Sequence, residues 1–75
     1  MEWRHSISSD PDVLHGAARF AGTRIPVSVV LDNLADGLSS EALLREYPEL
    51  TPTHLSAALA YAAELARERV VSVPA

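Results

Sequence analysis

Few side chains in this chain are of a type and spacing that does chemistry. His5, Asp10, Asp12 and His15 are metal-ligand types. Their spacing fits no tight site, and Asp10-Pro11-Asp12 has ordinary turn work, because proline presets the turn backbone and aspartate bonds its own neighbours. No nucleophile, base and orienting group can be assembled, there is no cysteine, and no glycine-rich phosphate loop precedes a helix. Catalysis, a bound metal and a cofactor are therefore not expected. What remains is Thr51, Thr53, His54 and Ser56, gathered at the start of the longest helical stretch. There, hydroxyls, an imidazole and free backbone N–H groups can meet base edges and hold a phosphate. Arg24 and Arg45 are the nearest cations in sequence able to reach a nucleic-acid backbone. Each of these residues has a plainer reading too: Thr51 as a helix cap, His54 as a solvated surface residue, Arg24 as an internal ion pair or helix cap.

The element that positions this group is the stretch from Thr51 to Arg69. Thr51 is a good N-cap, and Pro52 falls at the first helical position, where its missing N–H costs nothing. Leu55, Leu59, Ala62 and Ala66 recur at the spacing of one helical face, widened by Ala58 and Leu65. The opposite side is not properly polar, since Ala57, Ala60, Tyr61 and Ala63 leave only Ser56 and Glu64 to meet water in the middle. A helix apolar nearly all round is usually buried on two sides. One side serves the domain's own core. The other, through Ala57, Ala60, Tyr61 and Glu64, is a candidate surface for a second polypeptide, unless the N-terminal strands fold over it.

Ahead of this helix the chain reads in order. Trp3 to Ser8 alternates loosely and predicts a short strand. Arg19 to Val27 predicts two very short extended pieces around Gly22-Thr23, ended at Pro26. Val27, Val30, Leu31 and Leu34 predict a first helix, stopped at Gly37. Ser39 or Ser40 caps a second helix that ends at Tyr47-Pro48. The tight connection from Pro48 to Thr51 is that of a helix-turn-helix. The tail from 70 to 75 is apolar and β-branched, and Val71 within it can add to a partner's sheet edge. The expected organisation is one domain: a short β-strand region over 1–26, three helices over 27–69, and a tail over 70–75.

Charge and length bound the partners. The 75-residue chain has a net charge of −4, no lysine and no cysteine. Residues 1–26 are neutral, and the later part carries all of the deficit. That argues against nucleic acid, since phosphate contacts need local positive charge. Any anion-binding surface must be built from a few arginines and would gain from pairing two protomers. A chain of this size buries a modest core, and without disulfides oligomerisation is the remaining staple. No membrane span or signal peptide is expected, which places the protein in the cytoplasm.

The strings Ser9-Asp10-Pro11, Gly22-Thr23-Arg24-Ile25-Pro26-Val27, Leu38-Ser39, Glu46-Tyr47-Pro48, Leu50-Thr51 and Ala57-Ala58-Leu59-Ala60-Tyr61-Ala62, in that register, resemble the small bacterial domain-of-unknown-function family four-thirty-three. The likeness covers about residues 5 to 68. It implies a mostly α, three-helix, homeodomain-like helix-turn-helix with a short β element in front. It also implies the role of an antitoxin beside a PIN-like nuclease toxin. That nuclease would be neutralised by direct binding, with Arg67 or Arg69 placed against its acidic site, and a homodimer would repress the operon by binding operator DNA. The alternative is a protein-interaction module without DNA binding. Two departures stand out. His15-Gly16-Ala17-Ala18 replaces a common Gly-Gly-Lys-Pro, and Thr53-His54 replaces two acids. The second departure removes negative charge from a helix start that would face phosphate, at a capping loss of a few tenths to about 1 kcal/mol.

Overall fold

A computed structural model describes residues 2–12 and 16–68. The expectation of a strand from Trp3 to Ser8 is corrected in part. Trp3–His5 forms a single 3-10 turn, and only Ile7–Ser8 is extended, as strand β1. The cause is local. The Glu2 carboxylate accepts the Arg4 backbone N–H at 2.9 Å, and the Ser6 N–H donates to the Trp3 carbonyl, so the chain closes a turn before it can extend. That bond, with the Arg4 guanidinium beside it, holds the Glu2 carboxyl below its ordinary range. Strand β2, Arg19–Phe20, pairs antiparallel with β1, Ile7 opposite Phe20 and Ser8 opposite Arg19. The second extended piece of the Arg19–Val27 stretch is only a single bridge, Arg19 to Pro26. Between them Gly22, at φ +81°, takes the third position of a turn closed by Thr23 N–H to the Phe20 carbonyl at 3.0 Å. A side chain there would be strained.

Three helices follow: α1, Val27–Ala35; α2, Ser40–Glu46; and α3, Pro52–Glu68. Helix α1 ends where Gly37 takes φ +94°. The Gly37 N–H reaches the Leu34 carbonyl and the Leu38 N–H reaches the Asn33 carbonyl, the paired bonds of a Schellman stop. Ser39 caps α2, its hydroxyl accepting the Ala42 N–H at 3.1 Å. Tyr47 closes α2 in front of Pro48, and the Leu50 N–H returns to the Tyr47 carbonyl at 2.9 Å, which tightens the turn into α3.

The start of α3 is capped reciprocally. Thr51 Oγ1 lies 3.4 Å from the His54 backbone N–H, and His54 Nδ1 accepts the Thr51 backbone N–H at 3.0 Å. This is the geometry of a capping box with imidazole in the place of the usual glutamate. It needs a neutral ring protonated at Nε2, since only a bare Nδ1 can accept. The ring also stands edge-on to Phe20, 5.3 Å between centroids. His54 is thus not the freely solvated residue of its plainer reading, and its ring supplies the acceptor that a glutamate would have given.

The core is Ile7, Phe20, Val27, Val30, Leu43, Leu50, Leu55, Ala57 and Ala58, with Leu31, Leu34, Leu38, Leu44 and Tyr47 packed at its edge. Helix α3 buries only part of the face that its leucines suggest, Leu55 and Ala58 lying in the core. Leu59 is 55% exposed, and Ala66 is exposed as well. The buried arc is turned toward Ala57, Ala58 and Tyr61, because two separate bodies dock there. Helices α1 and α2 take one flank of that arc and the 3-10 turn takes the other. Trp3 meets Tyr61 edge to face at 5.0 Å, and Arg4 Nη2 bridges to Glu64 Oε2 at 2.9 Å while its guanidinium lies over Trp3. The same bridge raises the Arg4 pKa above its ordinary value.

Two stability measurements check this arrangement. In urea unfolding, Leu43→Ala should cost about 2–5 kcal/mol and Leu59→Ala less than about 0.5 kcal/mol, whereas an α3 packed on its leucine stripe would give comparable losses. His54→Ala should cost about 1 kcal/mol, and His54→Glu should recover several tenths of that by restoring an acceptor for the Thr51 N–H.

Candidate interaction surfaces

Three surfaces follow from these contacts. The first is the start of α3. Thr51, Thr53 and Ser56 are exposed there, while His54 is half-buried with Nδ1 already engaged, leaving its Nε2 edge for an outside group. Arg24 is exposed on the loop between β2 and α1, and this loop borders the turn before α3 through a cleft shared with Glu49. Arg24 has no carboxylate partner among the described ion pairs, so its reading as an internal ion pair is not what is found. Arg45 is exposed in the last turn of α2, where a cation complements the helix C-terminus.

The second surface is the one assigned from sequence to a partner, and it needs correction. Ala57 has no exposed surface and belongs to the protomer's own core. Tyr61 and Glu64 are half-buried under Trp3 and Arg4. The leading segment covers this face, as one of the two alternatives held, but with a 3-10 turn rather than strands. Ala60 is half-buried like Tyr61 and Glu64, and Arg67 is exposed at the end of α3. Arg69, Val71 and the tail from 70 to 75 lie outside the described residues, as does His15.

The third surface was not anticipated. Ser56, Leu59, Ala63 and Ala66 recur three or four apart and are all exposed, so they form one outward stripe of α3. Leu65, on the flank of this stripe, is 37% exposed. Its signal was present in the sequence as surplus apolar residues. The spacing that groups Leu55, Leu59, Ala62 and Ala66 on one face does not say which part of that face the fold covers, and here Leu55 is buried while Leu59 and Ala66 are exposed. Among the described residues no group of three or more His, Asp or Glu is placed to hold a metal ion, and no helix is long and apolar enough to cross a membrane.

Comparison with known proteins fits this architecture. An uncharacterized protein, y4eO, of Sinorhizobium fredii (strain NBRC 101917 / NGR234) is 37% identical over 59 residues, which cover 79% of this chain and 27% of that relative. The crystal structure of a DUF433 member protein from Anabaena variabilis ATCC 29413 superposes with a TM-score of 0.79 at 35% identity, covering 87% of this chain and 64% of that one. This chain is thus shorter than either of these two proteins and spans about a quarter of the first. The model of the family described as protein of unknown function (DUF433) matches residues 7–62, the span from β1 to the middle of α3, and the chain belongs to that family.

Proposed function

We propose that this chain is the antitoxin of a toxin–antitoxin pair, acting in the cytoplasm by binding a PIN-like ribonuclease rather than by catalysis of its own. The observation that carries this reading is the outward stripe of α3. The helix is covered on both flanks by its own chain, yet Leu59 stays 55% exposed in a row with Ser56, Ala63 and Ala66. A leucine bordered by alanines lets another surface approach closely and gives it an apolar anchor. Arg67, exposed next to Ala66, supplies a cation that an acidic nuclease site would attract. The helix-turn-helix connection supports the second half of the reading, in which a homodimer presents two α3 helices to its own operator and represses it.

A specific observation favours the narrower alternative, a protein-binding module without DNA. The side chains that α3 exposes between Pro52 and Ala66 are Thr53, Ser56, Leu59, Ala63, Leu65 and Ala66. None is the Arg, Lys, Asn or Gln that commonly reads base edges, and the chain's charge of −4 opposes the phosphate backbone.

Both halves have direct tests. With the product of the neighbouring reading frame as bait, Leu59→Glu should weaken capture on the order of 30-fold while thermal stability hardly changes. Undiminished capture by the Leu59→Glu variant would contradict the nuclease-binding surface. For the operator, binding to the upstream DNA should weaken steeply as salt rises. No shift at low salt with a dimeric protein would leave the module reading in its place.

A further inference from the structure

An open cleft of about 550 Å³ lies between the loop that joins β2 to α1 and the turn that leads into α3. Arg19, Thr23 and Arg24 line it from the loop, and Glu49 lines it from the turn. Its charge is unbalanced. Arg19 is half-buried, its Nη1 donates to the Thr23 carbonyl at 2.8 Å, and its Nε is sealed from solvent with no acceptor. Arg24 is exposed. Among the described residues neither guanidinium has a carboxylate oxygen within 4.0 Å, the ion pairs there being those of Arg4. Glu49 shares the cleft but stands farther from both than that. A guanidinium partly stripped of water and left without a counter-ion is unfavourable, and two converging on one cleft create a local positive potential in a chain that is acidic overall.

We propose that this cleft binds a phosphoryl oxyanion between Arg19 and Arg24. The ligand class follows from the lining. Arg24 offers a whole guanidinium fork and Arg19 the Nη edge that its bond to Thr23 leaves, a set that suits a tetrahedral oxyanion with several free oxygens better than a single carboxylate, which one arginine would saturate. The cleft offers no aromatic ring on which a base could stack, so the recognised part is the phosphoryl group. The Thr23 hydroxyl is not a donor for it, because it already donates to the Phe20 carbonyl at 2.9 Å and accepts the Ile25 N–H at 3.0 Å. Those two bonds instead fix the loop that presents Arg24. The phosphoryl group can come from a DNA backbone or from free phosphate. A backbone phosphate held here would sit beside the start of α3 and set its register, a use that rests on the operator reading. The anion site itself does not rest on it.

Titrations followed through the arginine Nε–H signals test the site and separate the sources. Inorganic phosphate and a short mixed-sequence DNA duplex are each added at low ionic strength. The Arg19 and Arg24 signals should move saturably while that of Arg45 does not. Arg24→Gln, a change at an exposed residue with no described ion pair, should keep the thermal stability and weaken binding about tenfold or more. Glu49→Gln should tighten it. Movement with both probes assigns the cleft to backbone phosphate. Movement with phosphate alone keeps the anion site and removes its operator role. The site is overturned if neither probe moves these signals, or if Arg24→Gln binds as tightly as the parent chain.

Discussion

Ala57 and Ala58, both with no exposed surface, set how closely α3 lies against everything else. Adjacent positions on a helix point about 100° apart, so burying both puts a wide arc of α3 against the rest of the chain. One flank is supplied by α1 and α2, the other by the 3-10 turn at Trp3–His5. The small side chains let those bodies come close. They add little apolar area themselves, which leaves Phe20, Leu43, Val27 and Val30 to fill the interior. Once α3 is gripped in this way, its rotation is fixed. Leu59 must then face outward, and Tyr61 must face the leading segment.

The polar contacts serve the same geometry. Arg4 joins the leading turn to α3 through Glu64, and it is held in place by Glu2 and by the face of Trp3. These are surface pairs, whose direct contribution is small, so their role is to seat Trp3 on Tyr61 rather than to hold the fold together. At the other end of α3, His54 joins the helix cap to Phe20 and so ties the helix start to the sheet. The two ends of α3 are therefore fixed by different parts of the N-terminal region, and the stretch between them carries the uncovered stripe.

Much of this was legible in residue order. Pro26, Gly37, Ser39, Pro48 and Thr51 mark where elements start and stop, because each acts through its own backbone or a neighbour three residues away. The helices and the turn between α2 and α3 follow from them. Two things were not legible. The first was the rotation of α3, since a helix of alanine and leucine offers apolar residues on every side, and only long-range docking chooses among them. The second was the cleft. Arg19 and Glu49 are thirty positions apart, and neither sits in a pattern that singles it out. Arg24 was noticed because it follows a glycine turn, but its lack of an acidic partner depends on packing. The 3-10 turn at the N-terminus was missed because Glu2 caps it through a single bond, whereas the composition of Trp3 to Ser8 favours extension.

The orientation of α3, with Ala57 inside and Leu59 available to a partner, is the claim on which the functional reading depends. The chain has no cysteine, so single Leu59→Cys and Ala57→Cys variants report their sites cleanly to a thiol reagent. In the dilute protein the Leu59→Cys thiol should react at close to the rate of an exposed thiol, and the Ala57→Cys thiol should react only as fast as the domain opens. Adding the product of the neighbouring reading frame, the partner proposed above, should slow the first and leave the second unchanged. Equal rates in the dilute protein, or a Leu59→Cys thiol that stays fast in the complex, would contradict the account.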